Sequence, residues 1–187
     1  GRVGDQGIWT VSLDGELPNH GSELAQVFVG QELAPGWFGW SIPLGENRVR
    51  VGVGCEPSPT NRKPGRVLKD LLSAFPKTFA GLRPLSYTGG YIPIYQRNDA
   101  IPTYSDNTLL VGDAARQVKP TSGGGIYTSL TAGKHAATAA IDALRHEDLS
   151  AAMLTSYEET WRAEFEREFE RGLEIRQMYI GLGDEQL

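Results

Sequence analysis

Strict alternation marks the clearest element of the chain. In residues 48–54, RVRVGVG, Val49, Val51 and Val53 fall on one side of an extended strand while Arg48 and Arg50 fall on the other. Gly45, Glu46 and Asn47 just before it have the chemistry of a hairpin turn. Residues 35–45 are therefore expected to supply the partner strand. Shorter apolar runs at 8–13 and 26–29 read as further strands. Residues 87–94 read as extended, with Gly89 and Gly90 suggesting a bulge or a ligand pressed against backbone. Elsewhere the period changes. Val67, Leu68, Leu71, Leu72 and Phe75 recur at helical spacing, with Pro64 suited to the start and Pro76 to the stop. Leu109, Leu110 and Val111 predict a buried strand, and three glycines at 123–125 open a helix carrying Ile126, Leu130, Ala136, Ala137, Ala140 and Leu144. From residue 149 onward, Leu154, Tyr157, Trp161, Phe165, Phe169, Leu173 and Tyr179 form one apolar stripe on a long helix, with intramolecular packing as its expected role. Residues 56–65 and 97–107 are polar connections, as are the parts of 1–21 that flank the short strand at 8–13. The fold class is α+β: a largely antiparallel sheet, then a strand–loop–helix, then a long C-terminal helix.

Composition adds limits to this picture. A chain of 187 residues, 40% hydrophobic and 22% charged, can bury a substantial core. Nine acidic and four basic residues in 147–176 account for the net charge of −5, leaving fourteen of each sign elsewhere. No basic stripe with interleaved aromatics is present, which argues against nucleic acid as a partner. The lone Cys55 cannot form an internal disulfide and reads as a small buried residue beside a glycine-spaced strand. A cytoplasmic location follows as the expectation, with peripheral membrane contact left open. No Ser/His/Asp set, paired acid site or metal-ligand cluster stands out. His135 has no partnering acid nearby in sequence and reads as a packing or surface residue.

The strand–loop–helix carries the candidate chemistry. Gly112 permits a sharp turn after the strand, and Asp113 can accept hydrogen bonds from ligand hydroxyls. Gly123, Gly124 and Gly125 let backbone approach a flat ring, with free N–H groups of the helix start aimed at negative charge. An ordinary tight strand–loop–helix connection uses the same glycines. Arg116 and Lys119 in the loop suit either phosphate contact or solvent.

Residues 112–126, GDAARQVKPTSGGGI, resemble the second FAD-binding motif of the geranylgeranyl reductase family, within the wider group of flavoproteins similar to p-hydroxybenzoate hydroxylase. The resemblance implies FAD as cofactor, held by Gly112, Asp113, Pro120, Gly123, Gly124, Gly125 and Ile126, with Asp113 toward the ribityl chain and Pro120 beside the isoalloxazine. Residues 35–45, PGWFGWSIPLG, resemble the family's P-x-x-Y-x-W-x-F-P signature, with Phe38 for the Tyr and Ile42 for the Phe. That match implies a prenyl-chain surface from Phe38, Trp40 and Ile42, with Tyr91 as a further candidate; sheet core explains Trp37, Phe38 and Trp40 equally well. Arg48 and Arg50 suit either an anionic headgroup or a solvated sheet face.

The family also has a nucleotide-binding βαβ unit with G-x-G-x-x-G, and no such Rossmann unit is seen here. The expectation is accordingly a C-terminal portion of a longer protein, lacking that nucleotide-binding segment. Its parts would be a substrate-binding sheet domain at 1–105, the C-terminal part of the FAD-binding domain at 106–146 and a helical segment at 147–187. The implied function is reduction of C=C bonds in a prenyl, geranylgeranyl-type lipid or pigment precursor, driven by a nicotinamide cofactor or ferredoxin as electron donor. No catalytic residue and no metal site are assigned. Two alternatives stay open: a flavin monooxygenase or halogenase of the same fold, and a non-catalytic lipid- or partner-binding module.

Overall fold

The computed structural model describes residues 7–18, 23–56, 63–97 and 102–186. Parts of the three polar connections lie outside the described residues. Two compact units form, one from Gly1–Ile92 with Tyr179–Leu187 and the other from Pro93–Met178. This division differs from boundaries at 105 and 146, because the two long helices share one core.

The first unit is built on β1 (Ile8–Glu16), β2 (Gln26–Phe28), β3 (Gly39–Gly45), β4 (Arg48–Cys55) and β5 (Arg83–Ile92). Every pairing is antiparallel, in the order β2-β3-β4-β1-β5. Glu46 and Asn47 join β3 to β4 with φ of 49° and 59°, the signs a two-residue type I′ turn requires. Val49, Val51 and Val53 are fully buried and pack with Leu13 against Val67, Leu68 and Leu71 of α1 (Pro64–Ala74). Cys55 is buried and unbridged. The irregularity in β5 does not fall at Gly89 and Gly90, which pair regularly with Val11 and Thr10. It falls where Asp14 pairs Ser86 and Gly15 pairs Pro84, leaving Leu85 as the extra residue beside a proline that cannot donate to the ladder.

The face opposite the valines has a different character. Val27, Trp40, Gly52, Ser12 and Thr88 form one row across all five strands, and Ile42, Arg50, Asp14 and Ser86 form the next. Trp40 lies flat on Gly52: a β-carbon there would sit 2.3 Å from Trp40 Cζ2 and 2.8 Å from Ser12 Cβ. Near the chain end, Tyr179 donates its phenol to the Trp37 carbonyl at 2.8 Å, and Asp184 accepts from the backbone N–H groups of Gln31 and Glu32.

The second unit holds the ribbon of β6 (Tyr104–Ser105) and β7 (Thr108–Leu109), then α2 (Ile126–Arg145) and most of α3 (Ala151–Ile180). The expected buried strand at 109–111 is reduced to Thr108–Leu109, since β7 pairs only with β6, and Leu110 is exposed. Alanines 132, 136 and 139 of α2 pack with Tyr157, Trp161, Phe165 and Phe169 of α3 in one core. The α3 stripe continues through Gly172 and Arg176, while Leu173 is only partly buried. The expected packing set on α2 is rotated. Thr128, Ala132, Ala136, Ala139 and Ala143 face inward, whereas Ile126, Leu130 and Leu144 are 83%, 72% and 64% exposed. Small side chains meet the bulky α3 rings because only they leave room for them.

Two substitutions probe these cores. Gly52→Ala is expected to displace Trp40 and destabilise the protein by about 1–3 kcal/mol, read as a lower urea midpoint with altered tryptophan emission. Phe165→Ala is expected to cost about 3–5 kcal/mol in the same assay.

Candidate cofactor and substrate sites

Residues 110–126 form a closed loop whose two ends meet. Gly112 is buried with φ +68°, a left-handed geometry in which a side chain would also press on Ser129 Oγ at 2.8 Å. It opens a 3-10 turn, Gly112–Ala115, closed by N–H groups of Arg116 and Gln117 donating to the Asp113 and Gly112 carbonyls, both at 3.0 Å. The turn presents the Asp113 side chain at the surface. Further on, the Gly123 N–H donates to the Lys119 carbonyl at 2.9 Å and the Lys119 N–H to the Gly124 carbonyl at 3.1 Å. This folds the loop back so that Asp113 Oδ1 is 3.2 Å from where a β-carbon on Gly125 would stand. Gly125 is the N-cap of α2, and no side chain caps that helix start. An exposed carboxylate and a helix N-terminus with N–H groups left uncapped by side chains therefore occupy the same spot.

Of the seven residues expected to hold the cofactor, the structure brings Gly112, Asp113 and Gly125 together. Gly123 and Gly124 line the return of the loop, Pro120 is buried beside Gly172, and Ile126 projects as the first, largely exposed residue of α2. Lys119 is not a free cation, since its Nζ lies 2.7 Å from Glu168 of α3. His135 has an acid after all: its Nε2 lies 2.6 Å from Glu164, twenty-nine residues away in sequence.

Sequence reading missed the residues that hold this loop. Gln117 is fully buried; its Oε1 accepts from the Gly112 N–H at 2.8 Å and its Nε2 donates to Tyr157 Oη at 2.9 Å. Tyr157 in turn donates to the Leu110 carbonyl at 2.6 Å. Thr128 of α2 donates to the Gln117 carbonyl. These partners are up to 47 residues apart, so no local pattern announces them. Burial, outweighing the Gln117 hydrogen bond, pushes the Tyr157 phenol up. Nearby, Thr103 links β6 to α3: its N–H donates to Glu158 Oε2 at 2.7 Å and its hydroxyl accepts from Trp161 Nε1 at 3.0 Å.

The candidate substrate surface lies in the sheet unit. Trp40 and Ile42 share the face opposite the valines, and the Phe38 ring stands 6.1 Å from Trp40 and 5.2 Å from Trp37. Trp37 is core, only 2% exposed, whereas Ile42 is 38% exposed. Tyr91 does not join them. It pairs Trp9, which pairs Cys55, so it projects from the valine face and meets the Trp9 ring edge-on at 5.2 Å. Side-chain parity along a strand places it there, and parity across strands needs a register that sequence alone does not supply. On the Trp40 face Arg50 is committed to Asp14 through paired contacts of 2.6 and 2.8 Å. That hydrogen bonding holds the Asp14 carboxyl below its usual range, and it removes Arg50 as a free anion ligand.

Known proteins place this geometry in context. No family model matches the chain. Digeranylgeranylglycerophospholipid reductase 2 of Methanopyrus kandleri is 36% identical over 166 residues, covering 86% of this chain and 41% of that protein. Reductase 1 of the same organism is 39% identical over 150 residues, covering 79% and 39%. The corresponding reductase of Methanothrix thermoacetophila is 34% identical, covering 88% and 41%. Over most of its length this chain is similar to one part of these reductases. It spans about two fifths of the length of these relatives. Among solved structures, a geranylgeranyl bacteriochlorophyll reductase-like protein of Thermoplasma acidophilum superposes with a TM-score of 0.82 at 22% identity, covering 97% of this chain and 45% of that one. The flavin-dependent halogenase CmlS gives 0.58 at 16% identity, covering 87% and 30%. These likenesses show a fold shared with a geranylgeranyl bacteriochlorophyll reductase-like protein and a flavin-dependent halogenase.

One titration follows from the helix unit. Burial, reinforced by the Glu166 carboxylate that accepts its hydroxyl at 3.1 Å, pushes Tyr95 up to about 12. A raised phenol contributes stability that is complete below the unfolded value near 10 and is lost as pH rises through the folded value of about 12. Ultraviolet titration of wild type minus Tyr95→Phe is expected to show a tyrosinate component centred near 12; a component near the ordinary value of about 10 would contradict the burial argument.

Proposed function

We propose that this chain is part of a FAD-dependent oxidoreductase that reduces C=C bonds of a prenyl, geranylgeranyl-type lipid or pigment precursor. One observation carries the reading: the Asp113 carboxylate stands beside Gly125 at the helix start that no side chain caps, in a chain whose relatives are digeranylgeranylglycerophospholipid reductases. A carboxylate suits the hydroxyls of a ribityl chain, and a helix start suits the electron-rich edge of a reduced isoalloxazine. Gly112, Gly123 and Gly124 keep the loop backbone accessible, with Pro120 packed at its base. FAD, when bound and reduced, supplies the hydride that adds to one carbon of an isolated double bond, the other carbon taking a proton.

This chain's own contribution is binding and orientation. Phe38, Trp40 and Ile42 offer large apolar faces for isoprenoid units, and the Gly52 floor sets how Trp40 lies. Tyr91, on the other side of the sheet, is left out of that surface. A nicotinamide cofactor or ferredoxin would return electrons to the flavin. Among the described residues no helix is long and apolar enough to cross a membrane. The halogenase likeness is a fold likeness at lower TM-scores, and sequence kinship favours the reductase chemistry.

In the natural full-length protein, Asp113→Ala is expected to weaken FAD binding about 10- to 100-fold, the worth of a charged hydrogen bond, while the exposed position leaves thermal unfolding unchanged. Unaltered affinity in a flavin fluorescence titration would remove Asp113 from the site. Trp40→Ala is expected to raise KM for a prenyl substrate severalfold with FAD affinity intact; a KM equal to wild type would exclude that surface.

A further inference from the structure

We propose that Gln117 and Tyr157 are positioning residues of the flavin site, setting through the Gly112 turn where the Asp113 carboxylate stands. The inference rests on the FAD reading above and deepens it. Its physical basis is one buried amide on which three segments converge. The Gly112 N–H can only donate, so the Gln117 atom 2.8 Å from it is an acceptor oxygen, and the amide nitrogen must point to Tyr157. Tyr157 already receives that N–H, so its own proton goes to the Leu110 carbonyl at 2.6 Å. The direction of every bond in the chain is thereby determined.

Its consequences fall on Asp113. Gly112 is the left-handed corner itself and Leu110 stands two residues before it, and each is tied to the same relay. The Gln117 backbone also donates to the Gly112 carbonyl at 3.0 Å and accepts from Thr128 on the first turn of α2. Gln117 thus fixes Gly112 through both its N–H and its C=O, and links that corner to the helix whose N-cap is Gly125. Tyr157 lies in the core of α3 among rigidly packed aromatics, so the relay carries that rigidity to the turn. Neither side chain faces solvent: Gln117 and Tyr157 are both 0% exposed. They act through Asp113 and not by touching a ligand.

The test is a double-mutant cycle on the natural full-length protein, with FAD affinity, the bound-flavin visible spectrum and amide hydrogen exchange as readouts. Tyr157→Phe is expected to speed exchange of the Gly112 amide and to weaken FAD binding about tenfold, the scale of a lost neutral hydrogen bond. In an Asp113→Ala background the same substitution is expected to add no further loss, because there is no carboxylate left to misplace. Equal losses in both backgrounds would mean a general structural role and overturn the proposal. So would unchanged affinity for Tyr157→Phe while Asp113→Ala is weakened, and in that case the FAD reading survives. If Asp113→Ala itself binds FAD normally, the proposal falls together with the role of Asp113, whereas failure of the unsubstituted protein to bind FAD would overturn the FAD reading itself.

Gln117→Glu gives an independent test should Tyr157→Phe fold poorly. Protonated, the new side chain can accept from Gly112 and still donate to Tyr157; ionised, it cannot donate. FAD affinity of this variant is expected to approach wild type at acid pH and to fall as the buried carboxyl ionises. A pH profile parallel to wild type would overturn the proposal.

Discussion

The close approach of α2 and α3 is the constraint on which the candidate cofactor loop depends. Alanines on one helix leave room for Tyr157, Trp161, Phe165 and Phe169 on the other, and that fit puts the Tyr157 hydroxyl beneath the loop. From there the order is transmitted by hydrogen bonds of fixed polarity, through Gln117 to Gly112, and so to the carboxylate of Asp113. A bulkier residue at Ala132, which is fully buried, would separate the helices and slacken every bond above them. Packing and polar satisfaction are therefore one device here. The aromatic core supplies rigidity, and the relay aims it.

Much of this architecture is legible in the sequence. The alternation at 48–54 gives the central strand and its buried face, the Glu46–Asn47 pair gives the hairpin, and the aromatic period gives α3. The loop motif gives the meeting of Gly112, Asp113 and the α2 start. What escapes has physical causes. An amphipathic helix with two apolar stripes does not declare which one meets its neighbour: α2 buries its alanines and leaves Ile126 and Leu130 exposed. Strand parity cannot be compared between strands without register, so nothing local separates Tyr91 from Trp40 although Tyr91 projects from the other face. A strand needs a partner, and the apolar run at 109–111 has only the short β6 beside it. Gln117 looks like any loop amide until the fold brings Tyr157 to it.

Fold likeness alone does not select a chemistry, since geranylgeranyl reductase-like proteins and halogenases share this architecture. Two features narrow the choice. Relatives at 34–39% identity carry the reductase name, and the sheet presents an aromatic face seated on glycine, suited to an apolar chain. Arg50 and Lys119 are each held by a carboxylate, Asp14 and Glu168, while Arg48 on the same sheet face as Arg50 is exposed.

The central claim, that the site serves addition of hydrogen to a prenyl double bond, is tested most directly by product analysis. The natural full-length protein, loaded with FAD and reduced under anaerobic conditions, would be incubated with a geranylgeranyl lipid and the product weighed by mass spectrometry. The account predicts a lipid heavier by two hydrogens for each bond reduced, formed without oxygen. An unchanged lipid, or a product that carries oxygen or halogen and forms only when oxygen is admitted, would contradict it.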